Sequence, residues 1–304
     1  MIEIFIRFML FAVIFFYLIA SVCYVPFAYI INKLNNMLQL KIAHKIFFIF
    51  CKILNILSDR IFEFEGENLI NPRENYLVIS NHVNEYDFLV LSNLFNNSEN
   101  LSNVKYVMKS EMRNYYGIFQ ILDLLNFLTI ERDIKKDEKT IKNYCSRINK
   151  AKSAIHLVLF PEGTLITENT INKSKEFRKS KNLEPLDYVL SPRYKGFKVI
   201  AEGLKDSNIK KVLDITFTYP ECVQPTLSSI LFSNQKYKIK YTMNIHELNS
   251  IKDHNYFLDQ CWKFKNEWIA KAVNFNNQWF VQENDNFKNA IEENEKLTEP
   301  KTCN

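Results

Sequence analysis

Residues 4–31 are almost unbroken apolar sequence, with Arg7 the only charge. Backbone polar groups in such a run cannot be left to lipid, so they must bond within the segment, which a helix does. The run holds 28 residues, where a bilayer core needs about 20. It predicts an N-terminal membrane helix. A cleaved signal peptide is the alternative, disfavoured because the run is about twice the usual core length and no small-residue cleavage site follows. Pro26 can kink the helix or split it into a hairpin entering and leaving one leaflet. Spanning and re-entrant arrangements both stay open at this point. Lysines follow at 33, 41, 45 and 52, so the positive-inside bias puts everything after residue 32 on the cytosolic side. Residues 41–57 mix lysines with apolar residues and read equally as an interfacial helix or a core helix.

A chain of 304 residues with 47% hydrophobic content can bury one substantial core. Its net charge of +5 is spread along the sequence, which argues against nucleic acid as a partner and allows a mild attraction to anionic membrane. Six cysteines without Cys-x-x-Cys or regular spacing imply neither a disulfide framework nor a metal site, and fit free thiols in a reducing compartment.

Two stretches bring a buried strand to a polar turn. In residues 76–88, YLVISNHVNEYDF, the apolar run ends in Ser80, Asn81 and His82 before Phe88-Leu89-Val90-Leu91 begins, which reads as strand, tight turn, helix. Asp87 follows His82 by five residues. On one continuous helix that spacing separates two side chains by about 140°, so they meet only if His82 precedes the helix and Asp87 lies in its first turn. There Asp87 can hold one ring nitrogen and leave the other free as a base. His254 and Asp259 share the spacing, but no strand precedes His254, which is expected on a helix surface. In the second stretch, residues 155–164, the strand ends at Pro161-Glu162-Gly163-Thr164. Gly163 is one of five glycines in the chain, so a positive φ or a close ligand approach is a plausible reason for it. His156 begins that strand and is set aside. Residues 189–197, VLSPRYKGF, read as a further strand running into a turn with cations.

Other strands are expected at 62–65, 104–108, 127–130, 211–219 and 238–244, and helices at 87–94, 115–126 and 133–153. Residues 170–181 are expected as an exposed loop and helix. In 211–219, Asp214 is expected to point away from the apolar alternation. The alternation predicts an α/β fold, a single domain with a central mixed sheet flanked by helices, preceded by an N-terminal membrane helix. Residues 1–60 are the anchoring segment, 61–245 the catalytic domain, and 246–304 a helical extension too polar for membrane helices.

Asn81-His82-x4-Asp87, followed by Phe160-Pro161-Glu162-Gly163-Thr164, resembles the glycerolipid acyltransferases of the 1-acylglycerol-3-phosphate O-acyltransferase type, most of all the lysocardiolipin branch. The similarity extends to Thr167-Glu168-Asn169, residues 189–197, Asp214-x-Thr216-x-x-Tyr219 and residues 262–275, about residues 60–280 in all. The resemblance implies that His82 is the base and Asp87 its partner, and that Glu162, Gly163 and Thr164 belong to the acceptor site. Lys109 matches a lysine near the phosphate, Arg132 the arginine of the second motif, and Pro192 lies in the fourth. Lys109, Arg132 and Arg193 could each supply a charge-assisted bond to phosphate. Many members have a phosphate-binding arginine where Leu165 stands, so larger headgroups are expected. The implied reaction moves a fatty acyl group from acyl-CoA, as co-substrate and with no cofactor, to a lysophospholipid at a bilayer. The endoplasmic reticulum membrane is the expected location and a mitochondrial membrane the alternative. A CoA-independent transacylase and a catalytically silent lipid-binding protein are the competing readings.

Overall fold

Two long helices, α1 (Ile2–Leu34) and α2 (Asn36–Ile61), lead the chain in a computed structural model that describes residues 2–34, 36–95, 103–114, 122, 127–131, 133–149 and 154–273. They run antiparallel: Arg7 of α1 donates to the Arg60 carbonyl of α2 at 2.6 Å, and the Tyr17 hydroxyl to the Ile46 carbonyl. Helix α1 continues through Pro26, so the chain reverses between the helices and not at the proline. The segment Ile2–Ile31 is long and apolar enough to cross a membrane and is almost entirely unburied. On α2, Leu54, Leu57 and Ile61 enter the core, so its C-terminal half is a core helix.

The remainder runs β1 (Phe62–Glu65), β2 (Tyr76–Ser80), α3 (Asp87–Leu94), β3 (Val104–Lys109), β4 (Leu128–Ile130), α4 (Ile134–Ile148), β5 (His156–Leu159), α5 (Glu168–Ser180), α6 (Tyr194–Leu204), β6 (Lys211–Thr218), α7 (Leu227–Phe232), β7 (Tyr237–Glu247) and α8 (His254–Ala272). The strands form a mixed sheet in the order β1-β7-β6-β2-β5-β3-β4, with only β6 and β7 antiparallel among the described pairs. Strand β2 is buried along its whole length because both faces are covered. Leu77 and Ile79 pack with Tyr144, Phe197 and Trp262 from α4, α6 and α8, while Tyr76 and Val78 pack with Leu57 and Val90 from α2 and α3.

Several expectations change. Val189 and Leu190 form no strand. The backbone there bonds elsewhere, Ser191 N–H to the Ser174 hydroxyl and Arg193 N–H to the Pro161 carbonyl, while both apolar side chains plug the core. The region expected as an exposed loop and helix is helical from Glu168, behind a capping box set by Thr167, and buries Arg178 completely. His254 is not on a helix surface: it is 5% exposed and packs edge-on against Phe197. Asp259 pairs with Arg178 and Tyr194. Asp214 does point away from the apolar alternation of Leu213, Ile215 and Phe217, and on the other face of β6 it is buried and held by Lys265. The expected helix at 115–126 lies outside the described residues, Leu122 excepted.

The topology decides where chemistry can occur. Parallel pairing sets Tyr76 beside His156 and Ile79 beside Leu159, so the two polar turns leave the same edge of the sheet side by side. A crevice outside the carboxyl ends of such strands is where ligands bind in open α/β sheets.

Candidate active site

Strand β2 hands over to His82 through Asn81, whose side chain continues the ladder to β6: its Nδ2 donates to the Phe217 carbonyl at 2.9 Å and its Oδ1 accepts from Phe217 N–H at 3.1 Å. His82 Nδ1 lies 2.8 Å from Asp87 Oδ2. Asp87 is in the first turn of α3 and fully buried, and its oxygens also accept from the backbone N–H groups of Val83 and Asn84. Burial pushes the Asp87 carboxyl up, opposed by His82 and these N–H groups. Its backbone partners, the N–H groups of Val83 and Asn84, are donors only, an arrangement that suits an ionised, acceptor-only carboxylate. It therefore fixes His82 as the Nδ1–H tautomer and leaves Nε2 as the basic nitrogen. The imidazole stacks on Phe160, with centroids 4.2 Å apart and planes 18° apart.

The second turn holds the backbone of the first. Ile166 N–H donates to the His82 carbonyl at 3.3 Å, so the backbone beyond Glu162 is tied to the backbone of the catalytic turn. Glu162 is 3% exposed and its Oε1 accepts from the Trp262 indole N–H at 3.2 Å. Burial raises its carboxyl well above the usual range, against the pull of Trp262, Lys265 and His82. Gly163 has φ +70°, and a Cβ there would stand 2.7 Å from Arg193 Nε. Arg193 in turn donates from Nε to the Glu162 carbonyl at 3.2 Å.

These turns wall a cavity of about 1120 Å³. His82, Glu162, Gly163, Thr164, Pro192 and Arg193 line it, with Lys109 at the end of β3. Asp87 stands behind His82 and outside the lining. Arg132 lies outside the described residues. Leu165 lines the cavity, and so do Lys173 and Lys195, cations the sequence reading did not single out. Apolar walls come from Val107, Ile130, Ile141 and Phe197. One mouth thus combines a base, cations and an apolar trough, a setting for joining an apolar chain to a charged headgroup. Sequence reasoning also missed the parts played by Phe160 and Trp262. Phe160 was legible as the residue across from Ser80 once β2 and β5 were paired, whereas Trp262, 100 positions from Glu162, left no local signal.

The family model described as Acyltransferase matches residues 61–217. The chain is 27% identical over 187 residues to lysocardiolipin acyltransferase 1 of Gallus gallus, covering 61% of this chain and 49% of that protein. For the Danio rerio protein of the same name the figures are 30% over 167 residues, 55% and 43%. A probable 1-acyl-sn-glycerol-3-phosphate acyltransferase 5 of Arabidopsis thaliana is 33% identical over 156 residues, 51% of this chain and 41% of that one. The chain therefore spans about half the length of these curated relatives or less. Among solved structures, the 1-acyl-sn-glycerophosphate acyltransferase PlsC from Thermotoga maritima superposes with a TM-score of 0.51 over 88% of this chain and 97% of that one. At 15% identity, that likeness establishes the fold.

Proposed function

The chain belongs to the acyltransferase family, and from that premise we propose that it moves a fatty acyl group from acyl-CoA to the free hydroxyl of a lysophospholipid at a membrane surface. The observation carrying this reading is the His82–Asp87 pair at the mouth of the shared cavity, its ring stacked on Phe160. The acceptor hydroxyl gives its proton to His82 Nε2 as its oxygen attacks the thioester carbonyl. The tetrahedral oxyanion then collapses, the C–S bond breaks, and the departing CoA thiolate recovers the proton from His82. A thiol leaves readily at neutral pH, so the positioned base addresses the harder problem, the weakly nucleophilic hydroxyl. Lys109 and Arg193 face the same cavity and suit the acceptor's phosphate, while the apolar wall suits acyl chains. With Leu165 in place of an arginine, the site is read as taking a phosphodiester headgroup, as in lysophosphatidylinositol or lysocardiolipin, in preference to a dianionic monoester. The endoplasmic reticulum membrane, with the site facing the cytosol, is the proposed location.

The test is acyl transfer by the full chain in vesicles, with acyl-CoA or a diacyl phospholipid as donor and a panel of lysophospholipids as acceptors. His82→Ala should lower turnover by about 10²- to 10⁴-fold while folding and membrane binding persist. His254→Ala should keep its turnover per folded molecule. Substantial residual activity in His82→Ala, or transfer from the diacyl lipid alone, would defeat the proposal.

A further inference from the structure

Helix α8 lies wholly beyond residues 61–217, the span that the family model matches, yet it reaches the reacting centre. Trp262 is completely buried and holds Glu162 through its indole N–H. Three residues on, on the same helix face, Lys265 is also completely buried. It donates to the Asp214 carboxylate, to the Ile215 carbonyl at 2.6 Å and to the Thr216 hydroxyl at 3.0 Å. One side chain thus fastens α8 to β6, and its neighbour fastens the Glu162 turn to α8. The turn that carries Glu162 also holds His82, through the stack of Phe160 on the imidazole and the bond from Ile166 N–H to the His82 carbonyl.

We propose that Trp262 is a positioning residue for His82, acting through the turn from Phe160 to Ile166, whose Glu162 carboxylate it holds. The proposal rests on the acyl-transfer reading above. An indole N–H is a donor only, so it cannot trade roles with the carboxylate and defines one rotamer for it. Around Glu162 stand Asp87 from α3, Lys265 from α8, and His82, with the Arg193 side chain on its main-chain carbonyl. In that buried setting a carboxylate that loses a donor has no water to replace it. It turns or takes a proton, the turn from Phe160 to Ile166 moves with it, and the imidazole that stacks on Phe160 shifts relative to the thioester. Displacement by about 1 Å at a reacting group can cost 10²-fold in rate.

Trp262→Phe keeps an aromatic ring and removes the N–H. In the full chain in vesicles, kcat should fall about ten- to a hundredfold, the range for a hydrogen bond to a charged group, with both KM values within about twofold of wild type. Glu162→Gln should fall similarly, and the double variant no further than Glu162→Gln alone. Hydrogen–deuterium exchange supplies a readout independent of turnover: the peptide carrying His82 should exchange faster in Trp262→Phe, with β6 and α8 protected as before. An unchanged kcat, multiplicative losses in the double variant, exchange spreading through α8, or a Trp262→Phe chain that does not fold each overturns the proposal. A wild type without acyl transfer defeats the acyl-transfer reading instead, and the exchange pattern alone then decides the positioning contact.

Discussion

Gly163 shows how much one backbone position carries. Its φ of +70° suits glycine, and the space its missing Cβ would fill is taken by the Arg193 side chain, with Nε at 2.7 Å and Cδ at 3.0 Å. Gly163→Ala should therefore lose about 1–3 kcal/mol of stability and push Arg193 out of place. Denaturant titration reads the first effect and the acceptor KM the second; a variant matching wild type in both would show that the turn tolerates a side chain. The scarcity of glycine made this position legible, but the neighbour did not, because Arg193 arrives from another element. The two His-x4-Asp pairs teach the same lesson. His82 precedes its helix and meets Asp87, while His254 and Asp259, both in α8, have separate partners.

Among the elements, β1, β2 and α3 coincide with their expected bounds, since alternation, a polar turn and a charged first turn are local signals. The segment at 189–190 does not, because an apolar run can serve as a core plug when the N–H groups that flank it, here those of Tyr188, Ser191 and Arg193, find partners outside the sheet. Helix α1 adds a feature no periodicity shows. Arg7 is 0% exposed and donates to the carbonyls of Ser233 at 2.7 Å, Arg60 at 2.6 Å and Gln235 at 3.1 Å, where α7 and α2 end. Arg7→Leu leaves these acceptors without their cation, at about 1–3 kcal/mol for each one kept from water. Protease protection of α7 and of residues 233–235 in vesicle-bound protein should drop sharply. Unaltered protection would mean that packing alone docks α1.

At the largest scale, both ends of the α1–α2 hairpin return to the globular domain: Arg7 donates to the Ser233 and Gln235 carbonyls, Ile14 joins the core beside the sheet, and α2 runs directly into β1. If α1 enters a bilayer, keeping these contacts calls for the re-entrant arrangement, because a bilayer between Ile2 and the domain would break them. An epitope placed ahead of Ile2 should be cut by protease added outside sealed microsomes together with the domain, and Asn172 of α5 should stay unglycosylated. A protected epitope beside an accessible domain would reverse this topology. Contiguous residues with a fixed period were enough to specify an apolar N-terminal helix, an alternating α/β chain, and two strand–turn motifs bearing a histidine, an aspartate and a glutamate. Long-range packing fixes the rest: that β5 lies against β2 so that Phe160 faces His82, that Arg193 closes on Gly163, that Trp262 grips Glu162, and that α1 folds back onto the domain. Those contacts depend on strand register and helix docking across tens to hundreds of residues, where the free energy of burying apolar faces selects the arrangement and no local pattern records it.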